Sequence, residues 1–110
     1  MNLLSRLTCG AVIAACASLA FGADAEFTLT IRDHKFEPAE LTVPAGQKIK
    51  LTVKNEDATA EEFESHELNR EKVIVGKSSG TVYVGPLSAG SYPFFGDFNQ
   101  DTAQGKLIAK

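Results

Sequence analysis

Beyond residue 26 the chain alternates between apolar and polar residues. Phe27, Leu29 and Ile31 alternate with Thr28, Thr30 and Arg32. Ile49, Leu51 and Val53 alternate with Lys48, Lys50, Thr52 and Lys54, and Val82 and Val84 with Thr81 and Tyr83. A period of two puts one set of side chains in a core and the other in water, and so predicts strands. Leu41-Thr42-Val43 and Val73-Ile74-Val75 predict shorter strands, and Lys106-Leu107-Ile108-Ala109 a closing one. Turn residues separate these runs at Pro44-Ala45-Gly46, Asn55-Glu56-Asp57, Gly76 to Gly80 and Ala89-Gly90. No segment holds a helical period over three turns. Glu61 to Lys72 is charged enough to contain a helical turn, with Phe63 and Leu68 as its only strong apolar anchors. Short strands at close spacing predict an all-β, antiparallel sandwich or barrel, with one domain over residues 26–110. The chain has no internal repeat and no low-complexity linker.

The first 25 residues follow a different pattern. Arg6 is the one positive side chain before an uncharged, apolar or small run from Leu7 to Gly22, and Ala23-Asp24-Ala25 has the small-x-small form of a cleavage site. This predicts an export signal over residues 1–25, cleaved after Ala25. The run is shorter than the roughly 20 residues that span a bilayer. The alternative is a lipoprotein: Ile13-Ala14-Ala15-Cys16 has the form of a lipid-attachment box, although the residues after Cys16 stay apolar or small through Phe21. Composition then narrows the chemistry. Both cysteines, Cys9 and Cys16, and the only methionine, Met1, fall in this segment. The domain therefore has no disulfide framework and no sulfur ligand. At roughly 85 residues it has room for one core. Its net charge of −3 is the same with or without the signal, since Arg6 and Asp24 leave together. That balance argues against nucleic acid and against an anionic membrane surface as partners.

The candidate chemistry is acidic. Glu56, Asp57, Glu61, Glu62, Glu64 and Glu67 lie within twelve residues, joined by His66. If a strand starts at Glu61, that residue shares the inward face with Phe63 and points into the mouth of the sandwich. Carboxylates with an imidazole suit hard or borderline cations such as Fe³⁺, Mn²⁺ and Cu²⁺. A solvated acidic rim is the plainer reading of the same run. His34, in Asp33-His34-Lys35-Phe36-Glu37-Pro38, is expected near a turn, as a surface or capping residue or as a nitrogen donor. Asp97, Asn99 and Asp101 follow the aromatic run Tyr92-Pro93-Phe94-Phe95 and enter a loop before the last strand, where sandwich sites are commonly built. Enzyme templates fail: there is no nucleophile elbow, P-loop, His-Glu-x-x-His or paired cysteine, and nothing in the spacing of Ser65, His66 and Asp97 favours a triad.

Phe36-Glu37-Pro38, Leu41 to Gly46, the strand ending in Asn55 and the final Tyr92-x-Phe94 … Gly105-x-Leu107 resemble the cupredoxins. More narrowly, Glu61 to Ser65, Leu68 to Lys72 and Phe94 to Phe98 with Asp101 to Gly105 resemble the cupredoxin-like periplasmic proteins of bacterial iron-permease uptake systems. The cupredoxin domain of the EfeO type is a broader relative. The resemblance covers essentially the whole of residues 26–110 and implies a Greek-key β-sandwich. A blue-copper centre needs two His and one Cys, usually with a long axial Met. Laid on this chain, the pattern falls on Glu61, Gly96 and Asn99, with the axial position near Ala103 or Gln104, and all four are changed. Members of the narrower group often carry His where this chain has Asn99.

The resemblance therefore implies a periplasmic protein that binds iron, copper or both, without a type-1 blue-copper centre. It would act beside a membrane iron permease and other periplasmic iron-uptake components, with ferroxidase-like oxidation of Fe²⁺ as the enzymatic version. The expected ligands are Glu61 first, then Glu64, Glu67, Asp97 and Asp101, with His34 or His66 as nitrogen donor. The alternatives are a non-catalytic copper or iron chaperone and a metal-free periplasmic interaction module.

Overall fold

The structure, a computed structural model, describes residues 24–110. The expected export segment, with Cys9 and Cys16, lies outside the described residues apart from Asp24 and Ala25. Nine strands follow: β1 (Ala25–Arg32), β2 (Lys35–Glu37), β3 (Glu40–Val43), β4 (Ile49–Asn55), β5 (Glu61–Ser65), β6 (Arg70–Ile74), β7 (Ser78–Val84), β8 (Gly90–Gly96) and β9 (Gln104–Ala109). A single 3₁₀ turn over Asp97–Asn99 lies between β8 and β9. The strands form a four-stranded sheet in the order β2-β1-β4-β7 and a five-stranded sheet in the order β3-β9-β8-β5-β6.

The sheets are mixed, where the alternation alone predicted antiparallel pairing. β1 runs parallel to β4, and β3 parallel to β9. The reason is the route of the chain. After the β1–β2 hairpin it crosses to the second sheet as β3 and returns beside β1 as β4, in the Greek-key sandwich that the resemblance implies. The segment from Glu61 to Lys72 contains no helical turn. It is the β5–β6 hairpin, closed by Ser65, whose Oγ accepts from the Leu68 N–H (3.1 Å) and donates to the Pro93 carbonyl (2.7 Å). This turn lets both Phe63 and Leu68 reach the core. A strand, β2, also lies just after the turn expected around His34, because Phe36 is buried.

The alternating residues meet between the sheets. Leu29, Ile31, Ile49, Leu51, Val53, Val82 and Val84 face Val43, Phe63, Ile74, Phe94, Leu107 and Ala109, all buried. Phe36 meets Phe94 edge to face at 4.9 Å between ring centroids, and Phe63 lies 5.1 Å from Phe94. Such aromatic pairs add about 0.5–1.5 kcal/mol beyond their burial. The Phe63–Phe94 contact joins β5 to β8 and so fixes the two strands that carry the acidic positions.

Candidate functional site

Strand β5 alternates strictly between buried and half-buried residues: Glu61, Phe63 and Ser65 face in, and Glu62 and Glu64 face out. Glu61 is therefore driven inward by the register of its core neighbour Phe63. It is 1% exposed. Its oxygens are satisfied by nitrogen donors. The N–H groups of Glu62 (2.9 Å) and Phe98 (2.8 Å) donate to Oε1, and Asn99 Nδ2 donates to Oε2 (2.6 Å). Hydrogen bonds to a charged acceptor are short and roughly twice as strong as neutral ones. Gly96 makes room for the carboxylate: a Cβ there would lie 2.6 Å from Glu61 Cδ and 2.7 Å from Ala103 Cβ. The loop beyond is closed by its own backbone, with the Gly96 N–H donating to Ala103 O (2.8 Å) and the Ala103 N–H to Asn99 O (2.8 Å).

Glu61, Gly96, Asn99 and Ala103 are the positions on which the copper-ligand pattern falls, and the fold brings them together. The alternative fourth position, Gln104, is exposed and donates through Nε2 to Gln100 O (2.9 Å). These residues do not fit a blue-copper ion. They offer no thiolate and no imidazole, the carboxylate already accepts at both oxygens, and the amide donates.

The outer face of the same strands is different. Glu62, Glu64 and Asp97, all half-buried, each present a carboxylate oxygen within 4.8 Å of the others. Glu64 stands beside Phe95 on β8 and Glu71 on β6, and Glu62 beside Val73. Among the described residues no Lys, Arg or His forms an ion pair with any of the three. The Gln100 side chain donates to Asp97 Oδ1 (2.8 Å). Partial desolvation, followed by the charges of Glu71, Glu64 and Asp97, raises the Glu62 pKa above the usual carboxylate value. An uncompensated group of carboxylates is the arrangement that a hard cation would relieve.

Of the expected ligands, the structure brings Glu64 and Asp97 together and adds Glu62, which sequence reasoning passed over. The signal was present: Glu62 and Glu64 are two apart and share a face that Glu61 does not. Glu61 touches the same loop from inside the sandwich. His66 is exposed in the β5–β6 turn, with its ring 5.5 Å from that of Phe95. Glu67 lies in the same turn and Asp101 in the loop before β9, both exposed and outside the carboxylate group. Phe98, beside Asp97, is 53% exposed.

His34 lies elsewhere, in the β1–β2 turn, where Asp33 and His34 both have positive φ (55° and 58°). Asp57 caps this turn. Its carboxylate accepts from the N–H groups of Asp33 (2.8 Å) and His34 (3.0 Å), and lies 3.6 Å from His34 Nδ1. The His34 backbone bond, followed by that of Asp33, outweighs burial and lowers the Asp57 pKa. Asp57 also lines a polar cleft of about 540 Å³ with Lys77, Lys54 and Arg32. Arg32 bridges Glu56 and Glu37 there, each at 2.8 Å. The cleft is thus a network of opposite charges, unlike the uncompensated face of β5.

A two-sheet Greek-key sandwich with an altered ligand set at the end of β8 defines a cupredoxin-like protein. A family profile, the Cupredoxin-like domain, matches residues 6–109, and the chain belongs to that family. It is 51% identical over 83 residues to a Rickettsia prowazekii protein, "Uncharacterized protein RP394". That alignment covers 76% of this chain and 66% of the relative, slightly under two thirds of the relative's length. Among solved structures it is similar to auracyanin A, a blue copper protein from Chloroflexus aurantiacus. The TM-score is 0.69 at 18% identity, covering 80% of this chain and all of the other. The Cu(I)-bound metal-binding domain of the Streptococcus pneumoniae Cu(I)-exporting P-type ATPase CopA is also similar. Here the TM-score is 0.62 at 13% identity, covering 77% of this chain and 84% of that one. At these identities the likeness is one of fold.

Proposed function

We propose that this protein is an exported, periplasmic metal-binding component of iron uptake that carries a hard cation, ferric iron, on the outer face of β5 and β8. The observation behind this reading is the carboxylate group Glu62, Glu64 and Asp97, whose ligand atoms lie within 4.8 Å of one another with no cationic partner among the described residues. Oxygen donors favour the harder, more highly charged ion, so they hold Fe³⁺ more tightly than Fe²⁺ and make oxidation easier. In the enzymatic version, four ferrous ions each give one electron to a dioxygen, which with four protons from solvent is reduced to two waters. The ferric product then passes to a membrane permease. Copper carriage is the second reading, supported by the Cu(I)-bound domain of the same fold. It is weakened by the lack of cysteine and methionine among residues 24–110.

The test is an iron-exchange titration of the purified domain from a weak ferric chelate. The wild type is expected to bind stoichiometrically, and the triple variant Glu62→Gln, Glu64→Gln, Asp97→Asn to lose binding while keeping its strand circular dichroism. Equal ferric binding by both proteins would remove the site. Ferrous loading in air then separates oxidation from carriage, since only the oxidase version gives ferric absorbance faster than buffer.

A further inference from the structure

We infer that Glu61 and Asn99 are positioning residues: the pair of a buried carboxylate and a half-buried amide ties the Gly96–Ala103 loop to β5 and so holds Asp97 against Glu62 and Glu64 on the opposite face of the sheet. The inference rests on the reading of those three carboxylates as the cation site, and it begins where the copper pattern fails. In a metal-bearing site at these positions, an ion would gather the strand and the loop. Here Glu61 does so by accepting three hydrogen bonds.

The bonds fall at specific points. Oε1 accepts from the N–H of Glu62, the residue that carries the first outward carboxylate. The same oxygen accepts from the N–H of Phe98, the residue immediately after Asp97. One inward oxygen thus grips the backbone beside two of the outward carboxylates. Oε2 takes the Asn99 amide and fixes the far side of the 3₁₀ turn. The Asn99 carbonyl in turn accepts from the N–H groups of Ala103 (2.8 Å) and Thr102 (3.2 Å), so the clamp extends to the end of the loop.

Such a clamp has work to do, because Glu62, Glu64 and Asp97 repel one another when no cation is bound. Left free, the loop would relax outward and separate them. Charge-assisted bonds in a site shielded from water oppose that relaxation. The absent Cβ at Gly96 shows that the loop end is shaped around the carboxylate: any side chain there would meet Glu61 Cδ at 2.6 Å and Oε2 at 2.8 Å. The outward carboxylate at 62 and its inward support at 61 are thus neighbours on one strand.

The test removes the acceptor and then restores it in uncharged form. Glu61→Ala takes away the partner of all three donors. Amide hydrogen exchange at Phe98 is expected to accelerate about tenfold or more, and ferric affinity to fall about 10-fold, as for an outer-shell partner of a metal ligand. Glu61→Gln keeps Oε1 as the acceptor for the Phe98 N–H, and the Asn99 amide can turn over to present its oxygen to the new N–H. It is expected to bring both quantities back to within about threefold of wild type. Asn99→Ala, which leaves Glu61 in place, should shift both in the same direction as Glu61→Ala and serves if that variant is poorly folded. Unchanged exchange at Phe98 in Glu61→Ala, unchanged ferric affinity despite faster exchange, or no recovery in Glu61→Gln would each overturn the positioning role. If the wild type binds no ferric ion, the function proposed above fails. The exchange measurements then still decide whether the pair holds the loop.

Discussion

A carboxylate buried to 1% exposure, with N–H groups in place of a cation, is the residue that organises one end of this molecule. Its neighbour in space is Gly96, and the two are coupled by volume. Gly96→Ala is expected to destabilise the fold by about 1–3 kcal/mol, the usual cost of overpacking. In a Glu61→Ala background the same change should cost less, which urea denaturation of the four proteins of the cycle would measure. Equal penalties in both backgrounds would contradict the contact. Asp57 acts at the other candidate histidine. Its folded pKa lies below the unfolded value, so its contribution to stability is present above about pH 4, the usual aspartate value, and is lost as pH falls through the lowered folded value. Asp57→Asn should therefore flatten the acid side of the stability–pH curve measured by urea titration. An acid limb identical to wild type would argue against this role. The sign is opposite for Glu62. Its raised pKa means that its charged form costs stability as pH rises through the carboxylate range, and that cost persists above the folded pKa. Glu62→Gln should therefore leave the metal-free domain at least as stable as wild type at neutral pH.

Strands β5 and β8 carry the site because Phe63 and Phe94 hold them together. Either residue changed to Ala is expected to cost about 3–5 kcal/mol. Phe63→Ala should also loosen the ferric site, since it frees the strand on which Glu62 and Glu64 stand. Thermal melting with ferric titration checks both. Much of this was legible in the sequence. The alternation of Phe27 to Ile31 and Ile49 to Val53 is that of β1 and β4, and the inward direction of Glu61 follows from Phe63. Parallel pairing of β1 with β4 was not legible, because a period of two marks the face of a residue and is silent about its neighbour's direction. The β5–β6 hairpin was obscured by its charge. On β6 only Ile74 is buried, while Val73 and Val75, just beyond it, are 51% and 65% exposed at the sheet edge. The outward carboxylate group was half visible. Glu64 and Asp97 stood out by type, but their proximity depends on Phe63 pairing with Gly96, a register set by tertiary packing.

At the scale of the whole molecule, the sandwich separates two kinds of surface. The cleft beside Asp57 holds opposite charges in mutual contact, whereas the outer face of β5 and β8 holds like charges together. Raising ionic strength should therefore weaken the first and relieve the second. On this reading, bound ferric iron should raise the melting temperature of the wild type and leave the triple carboxylate variant unchanged. Equal shifts in the two proteins would point to nonspecific binding. The close approach of Glu61 to position 96 also makes the two positions one choice. A Cβ at 96 would lie 2.6 Å from the Glu61 carboxyl carbon, so a carboxylate at 61 and a side chain at 96 compete for the same space. A library randomised at both positions and selected for folding should therefore be enriched for Gly at 96 among clones that keep Glu at 61, and should admit Ala at 96 more often where 61 is small.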